Sequence, residues 1–137
     1  MRILIINGPN LNLLGTREPQ IYGNIPFEEY LSKMKDQFLF QIDYFQSNIE
    51  GEIINTIQQF DGDGIIINAG AYSHTSVAIH DSLKSIKIPC IEVHISNLSK
   101  RESFRHNSLI TPCCIGMIMG FGLKSYELAL EYFKKNN

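Results

Sequence analysis

The sequence predicts an α/β protein, a five-stranded parallel sheet between two layers of helices. Three observations predict it. Short isoleucine-rich runs such as Ile3–Ile6 and Ile65–Ile67 carry no polar alternation, as strands covered on both faces require. Between such runs, apolar residues recur at helical spacing. The two kinds of segment alternate five times along 137 residues, without a repeat, linker or low-complexity tract. Such alternation closes into a parallel sheet because each strand-to-strand crossover needs a helix.

The elements follow in order. Ile3–Ile6 is a buried strand that stops at the turn signal Asn7-Gly8-Pro9-Asn10. Leu11–Asn24 has no clear period and carries Gly15, Pro19 and Gly23, so it reads as a functional loop or lid. Pro26 suits a first helical position, and Phe27, Tyr30, Leu31, Met34 and Phe38 form the apolar stripe behind it. Ile42–Gln46 is a short strand. Ser47 and Glu50 have the spacing of a capping box for a helix that buries Ile53, Ile54, Ile57 and Phe60 and ends at Asp61–Gly64. Strand Ile65–Ile67 opens into Asn68–Tyr72. A helix from about Ser76 to Lys84 follows, capped by Thr75 or Ser76. Strand Ile88–Val93 breaks at His94 and leads into a basic turn, Lys100–His106. A last apolar run, Ile115–Met119, precedes a helix over Leu123–Lys135 that buries Leu123, Tyr126, Leu130 and Phe133 and ends in lysines suited to its dipole. The best architecture is a flavodoxin-like three-layer sandwich, with residues 1–137 as a single domain. Its ligand site is expected at the carboxyl ends of strands one, three and four, at Asn7–Asn10, Asn68–Tyr72 and His94–Ser96.

Composition narrows the function classes. A net charge of −2 argues against a general electrostatic grip on nucleic acid. No apolar run approaches the length of a membrane span, and the short run after Met1-Arg2 lacks the features of a secretory signal. Cys90, Cys113 and Cys114 are odd in number and two are adjacent, which speaks for reduced core cysteines in a cytoplasmic protein rather than a disulfide framework.

The chemistry concentrates in Ile88–His106. Glu92 and His94 are two apart and project from one side of an extended chain, where a carboxylate fixes an imidazole's tautomer and favours its protonated form. That pair suits an acid catalyst, and equally a hydrogen-bonded histidine at a strand end. The Ile95 and Ser96 amides can hold a carboxylate or phosphate, or simply form a turn. Arg101 and Arg105 form an anion-binding corner or a charged surface. His74 and Asp81, seven apart, share a face if their helix starts early, and there they would bind hydroxyl groups. In the glycine- and proline-bounded loop, Tyr22 is a packing anchor or a base. A phenol of pKa about 10 works as a base at neutral pH only beside a cation, and Arg17 is five residues away. No HExxH, cysteine ligand pair or phosphate-binding glycine motif is present.

Taken together, these clusters resemble the type II 3-dehydroquinate dehydratases. The matching stretches are NGPNLNLLGTREPQIYG at Asn7–Gly23, FQSNIEGEI at Phe45–Ile53, INAGAYSHTSVAIHD at Ile67–Asp81, EVHISNLSKRESFRHNS at Glu92–Ser108 and GFGLKSYELAL at Gly120–Leu130. Ala69 stands where the family commonly has proline. The resemblance implies anti dehydration of 3-dehydroquinate to 3-dehydroshikimate through an enolate, in the shikimate pathway, with no metal or organic cofactor. By position, Tyr22 resembles the base and Arg17 the cation that keeps it ionised. Asn10 matches the residue that orders a water at the enolate oxygen, and His94, held by Glu92, matches the general acid. Asn68, Ile95 and Ser96 match the carboxylate pocket. His74, Asp81 and Arg105 match contacts to ring hydroxyls, with Asp81 supplied by a neighbouring subunit and Arg101 in support. The family's assembly implies a homo-oligomer, a dodecamer built as a tetramer of trimers. Two rival readings are a metal-dependent hydrolase using the histidines and a non-catalytic flavodoxin-like binding module.

Overall fold

The computed structural model describes residues 1–16, 20 and 25–136. Five strands, β1 (Arg2–Asn7), β2 (Gln41–Gln46), β3 (Gly64–Asn68), β4 (Cys90–His94) and β5 (Gly116–Met119), form one all-parallel sheet in the order β2-β1-β3-β4-β5. After β1 the chain adds β2 on one side, then returns to add β3 on the other. That reversal is the switch point at which open α/β sheets leave a crevice beyond the strand ends.

Because side chains alternate along a strand, β1 divides its residues between two cores. Ile3 and Ile5, with Ile66, Ile91 and Val93, face helices α1 (Phe27–Gln37) and α4 (Lys124–Lys135) and pack on Phe27, Met34, Tyr126, Leu130 and Phe133. Leu4 and Ile6, with Ile65 and Ile67, face α2 (Glu50–Gln59) and α3 (Val77–Ser85) through Ile53, Ile57, Ile79 and Leu83. The three layers are those expected of a flavodoxin-like sandwich. At full burial each such aliphatic side chain contributes about 1.5–3 kcal/mol, so the doubly covered isoleucines account for the insistence of the apolar runs.

Two local expectations change. Ser76 caps α3, accepting from the Ile79 amide at 2.9 Å, but Ser47 does not cap α2. The N-cap of α2 is Ile49, in extended conformation, so the helix begins too late for the Ser47–Glu50 box. Ser47 instead closes the turn before it, accepting from the Ile49 amide at 2.9 Å and bonding the Glu52 carboxylate. The start of the long loop is also ordered: Leu11–Leu13 forms a short 3-10 turn with Leu11 and Leu14 buried. Arg17 and Tyr22, farther along that proposed lid, lie outside the described residues.

Candidate active site

The loops leaving β1 and β3 press together because both carry glycine. A Cβ on Gly8 would fall 2.4 Å from the Ala69 carbonyl oxygen, so no other residue allows this approach. Gly70 adopts φ +59 against the Pro9 carbonyl, in the left-handed region that glycine enters without strain. The Gly8 amide donates to the Asn68 carbonyl at 2.7 Å and ties the loops across the switch point. Ala69 has φ −74, close to the value proline imposes, so replacing proline there leaves the backbone path intact.

Above these loops lies a cavity of about 140 Å³. Asn10 from the β1 end, Asn68 from β3, and His94, Ile95 and Ser96 from β4 all line it, joined by His74, Arg101 and Arg105. Three strand ends distant in sequence thus meet in one cleft. Asn10 reaches it in a left-handed conformation, φ 69, steadied by a 3.0 Å bond from its amide to Asn48 Oδ1.

The centre of the site is a carboxylate–imidazole pair built into the sheet. Glu92 is fully buried and His94 is 4% exposed, both on the α3 side of β4. Glu92 Oε1 lies 2.6 Å from His94 Nε2 and accepts from Ser108 Oγ at 2.6 Å, while Oε2 accepts from the Thr111 hydroxyl. Burial alone would push the Glu92 carboxyl up. The bonds from His94, Ser108 and Thr111 more than offset it and hold the group below the usual carboxylate range. An anion is therefore fixed against one ring nitrogen of a histidine that lines the cavity. The His74 ring lies 6.2 Å from that of His94, centroid to centroid, with its own Nδ1 2.8 Å from the Asn107 carbonyl oxygen. Arg101 reaches Ser96 Oγ at 3.4 Å, and Arg105 pairs with Glu102 at 2.9 Å on the rim. Two arginines, two imidazoles and backbone amides past the end of β4 suit an anionic, oxygen-rich small molecule.

Of the residues expected to contact substrate, all of which are described, Asp81 alone does not line this cavity. It is exposed on α3, whereas His74 ends a separate 3-10 turn, Gly70–His74, so their spacing does not run along one helix face. Missing from the sequence reading are Ser108 and Thr111. They stand 16 and 19 residues beyond the carboxylate they serve, in a loop whose path has no periodicity to read. Among the described residues, no three of His, Cys, Asp or Glu group as a metal ion would need, and no helix is long and apolar enough to cross a membrane.

The sequence matches the family described as Dehydroquinase class II over residues 1–134. The 3-dehydroquinate dehydratase of Caldicellulosiruptor bescii is 54% identical across 98% of this chain and 97% of its own. Two solved type II dehydroquinases superpose on nearly the whole fold. That of Butyrivibrio crossotus does so with TM-score 0.92 at 51% identity, covering 98% of this chain and 97% of its own. That of Propionibacterium acnes gives 0.94 at 40% identity, covering 98% and 96%. Sequence, fold and a cleft at the switch point agree, and the chain belongs to the class II dehydroquinase family, the type II 3-dehydroquinate dehydratases, lyases of the shikimate pathway.

Proposed function

We propose that this chain dehydrates 3-dehydroquinate to 3-dehydroshikimate by anti elimination through an enolate, with the buried Glu92–His94 pair as the acid half. The observation that carries this reading is the 2.6 Å contact between Glu92 and His94 Nε2 at the floor of a cationic cavity. With Nε2 committed to the carboxylate, Nδ1 is the nitrogen that gives its proton to the departing hydroxyl, which leaves as water. Tyr22, assigned by sequence position, takes the proton beside the ketone, and Arg17 keeps that phenol ionised. A proton next to a ketone is weakly acidic, so the enolate needs stabilisation as well as a base, and a water held by Asn10 serves the enolate oxygen.

The substrate carboxylate rests on Asn68 and the Ile95 and Ser96 amides. His74 and Arg105 hold ring hydroxyls, with Arg101 steadying Ser96. Asp81 completes these contacts from a neighbouring subunit, consistent with its exposure away from the cavity of its own chain. The assembly is a homo-oligomer, a dodecamer of four trimers. Three free cysteines suit a cytoplasmic enzyme, the compartment in which thiols stay reduced. Growth of the conjugated-enone absorbance on adding 3-dehydroquinate tests the activity, and its absence from pure, folded protein overturns the reading. Borohydride added with substrate separates it from Schiff-base chemistry: turnover should survive.

A further inference from the structure

Tyr126 enters the sequence reading only as a core residue of the last helix, yet its hydroxyl is not idle. The ring is fully buried in the layer of α1 and α4, its centroid 4.9 Å from that of Phe27, and the hydroxyl reaches the sheet between two asparagines. Asn7 and Asn68 are register partners at the ends of β1 and β3, on the face that carries Ile5 and Ile66, so both side chains point at α4. Tyr126 Oη donates to Asn7 Oδ1 at 2.7 Å and accepts from Asn68 Nδ2 at 2.9 Å. At the other end, Asn7 Nδ2 approaches Tyr44 Oη at 3.4 Å.

The direction of this chain is set by one group that can only donate. The Gly70 amide meets the Asn68 side chain at 3.2 Å, so the atom facing it must be Oδ1. Nδ2 then faces Tyr126, whose proton must turn to Asn7, whose own amide nitrogen turns to Tyr44. Burial raises the Tyr126 phenol far above its ordinary range, so the proton that orders the chain stays in place. Asn68 has two N–H donors. One is spent on Tyr126, and the other is left for the cavity that Asn68 lines.

We infer that Tyr126 is a positioning residue for substrate binding: its hydroxyl, braced by Asn7, locks the Asn68 amide so that a donor and never the carbonyl oxygen faces the substrate carboxylate. The inference rests on the reading of Asn68 as part of the carboxylate pocket. Without the hydroxyl, the Asn68 side chain keeps, among the described residues, only the Gly70 contact. One 3.2 Å contact in place of two bonds then holds the amide, and orientations that present an oxygen to the anion gain population.

Steady-state kinetics of Tyr126→Phe test this, with 3-dehydroquinate and with its carboxamide, in which the anion is replaced by a neutral group of the same shape. Expected is a rise in KM for 3-dehydroquinate of about tenfold with kcat within about threefold, as loss of one charge-assisted hydrogen bond away from the reacting carbons requires. The preference for carboxylate over carboxamide should shrink by about the same factor, because a turned amide accepts from the carboxamide. General loosening of the core would lower the melting temperature and leave that preference unmoved. An unchanged KM and an unchanged preference overturn the inference. Asn7→Leu removes the acceptor that holds the Tyr126 proton and should show the same change in preference; it decides the question if Tyr126→Phe does not fold. Wild-type protein inactive on 3-dehydroquinate would instead overturn the functional reading beneath it.

Discussion

The two faces of the sheet carry polar groups of opposite character to the same cleft. On the α4 side, Tyr44, Asn7, Tyr126 and Asn68 form a neutral relay, ordered by which atoms can donate. On the α3 side, Glu92 and His94 form a carboxylate–imidazole pair, ordered by where a buried carboxylate is hydrogen-bonded. In the proposed mechanism the difference follows from task. A carboxylate of the substrate keeps its charge throughout, so a fixed dipole suffices to hold it. A proton donor must change charge as it works, so it needs a partner whose own charge is fixed.

The carboxylate–imidazole side should show the largest loss. His94→Ala removes the proposed acid and should lower turnover by about 10²–10⁴-fold with a modest change in KM, read from initial rates. Near-normal turnover would leave the proton to another group and dissolve the distinction between the faces. Arg105, proposed to hold a ring hydroxyl that does not leave, should act on binding: in Arg105→Ala KM should rise about tenfold with kcat largely kept.

Thr111→Val sharpens the contrast. It takes one of three hydrogen bonds from a fully buried carboxylate, at a cost of about 1–3 kcal/mol in urea unfolding. The Glu92 carboxyl should then titrate at higher pH, and the acid limb of the turnover profile should move up with it. Asn7→Leu, acting among neutral groups, should alter KM without moving that limb.

A smaller effect concerns stability against acid. Glu92 is held below its unfolded value of about 4.3, so unfolding at low pH takes up a proton. Its contribution is therefore complete above that value and lost as pH falls through the folded one. Glu92→Gln should flatten the acid side of the stability curve from urea titrations between about pH 3 and 7. An unaltered slope would mean that Glu92 titrates alike in both states.

Legibility in the sequence tracked distance along the chain. Glu92 and His94 were readable as a pair because strand geometry turns a spacing of two into one face, and Ser76 was readable as a cap because its partner is three residues on. The Ser47–Glu50 box failed where Ile49 delays the helix, and the His74–Asp81 face failed where a 3-10 turn interrupts it. In both cases spacing was read along a helix that does not extend that far. Tyr126 and Asn7 are 119 residues apart, and nothing in either neighbourhood announces the other.

The sequence by itself determined the alternation of strands and helices, the buried isoleucine runs and the polar strand ends, because these depend on local periodicity and on apolar burial. Only the tertiary structure decided that Asn7 and Asn68 stand side by side under one hydroxyl, and that Ser108 and Thr111 close over Glu92. Hydrogen bonds reach about 3 Å and depend on angle, so which donor meets which acceptor is settled only when the elements have packed.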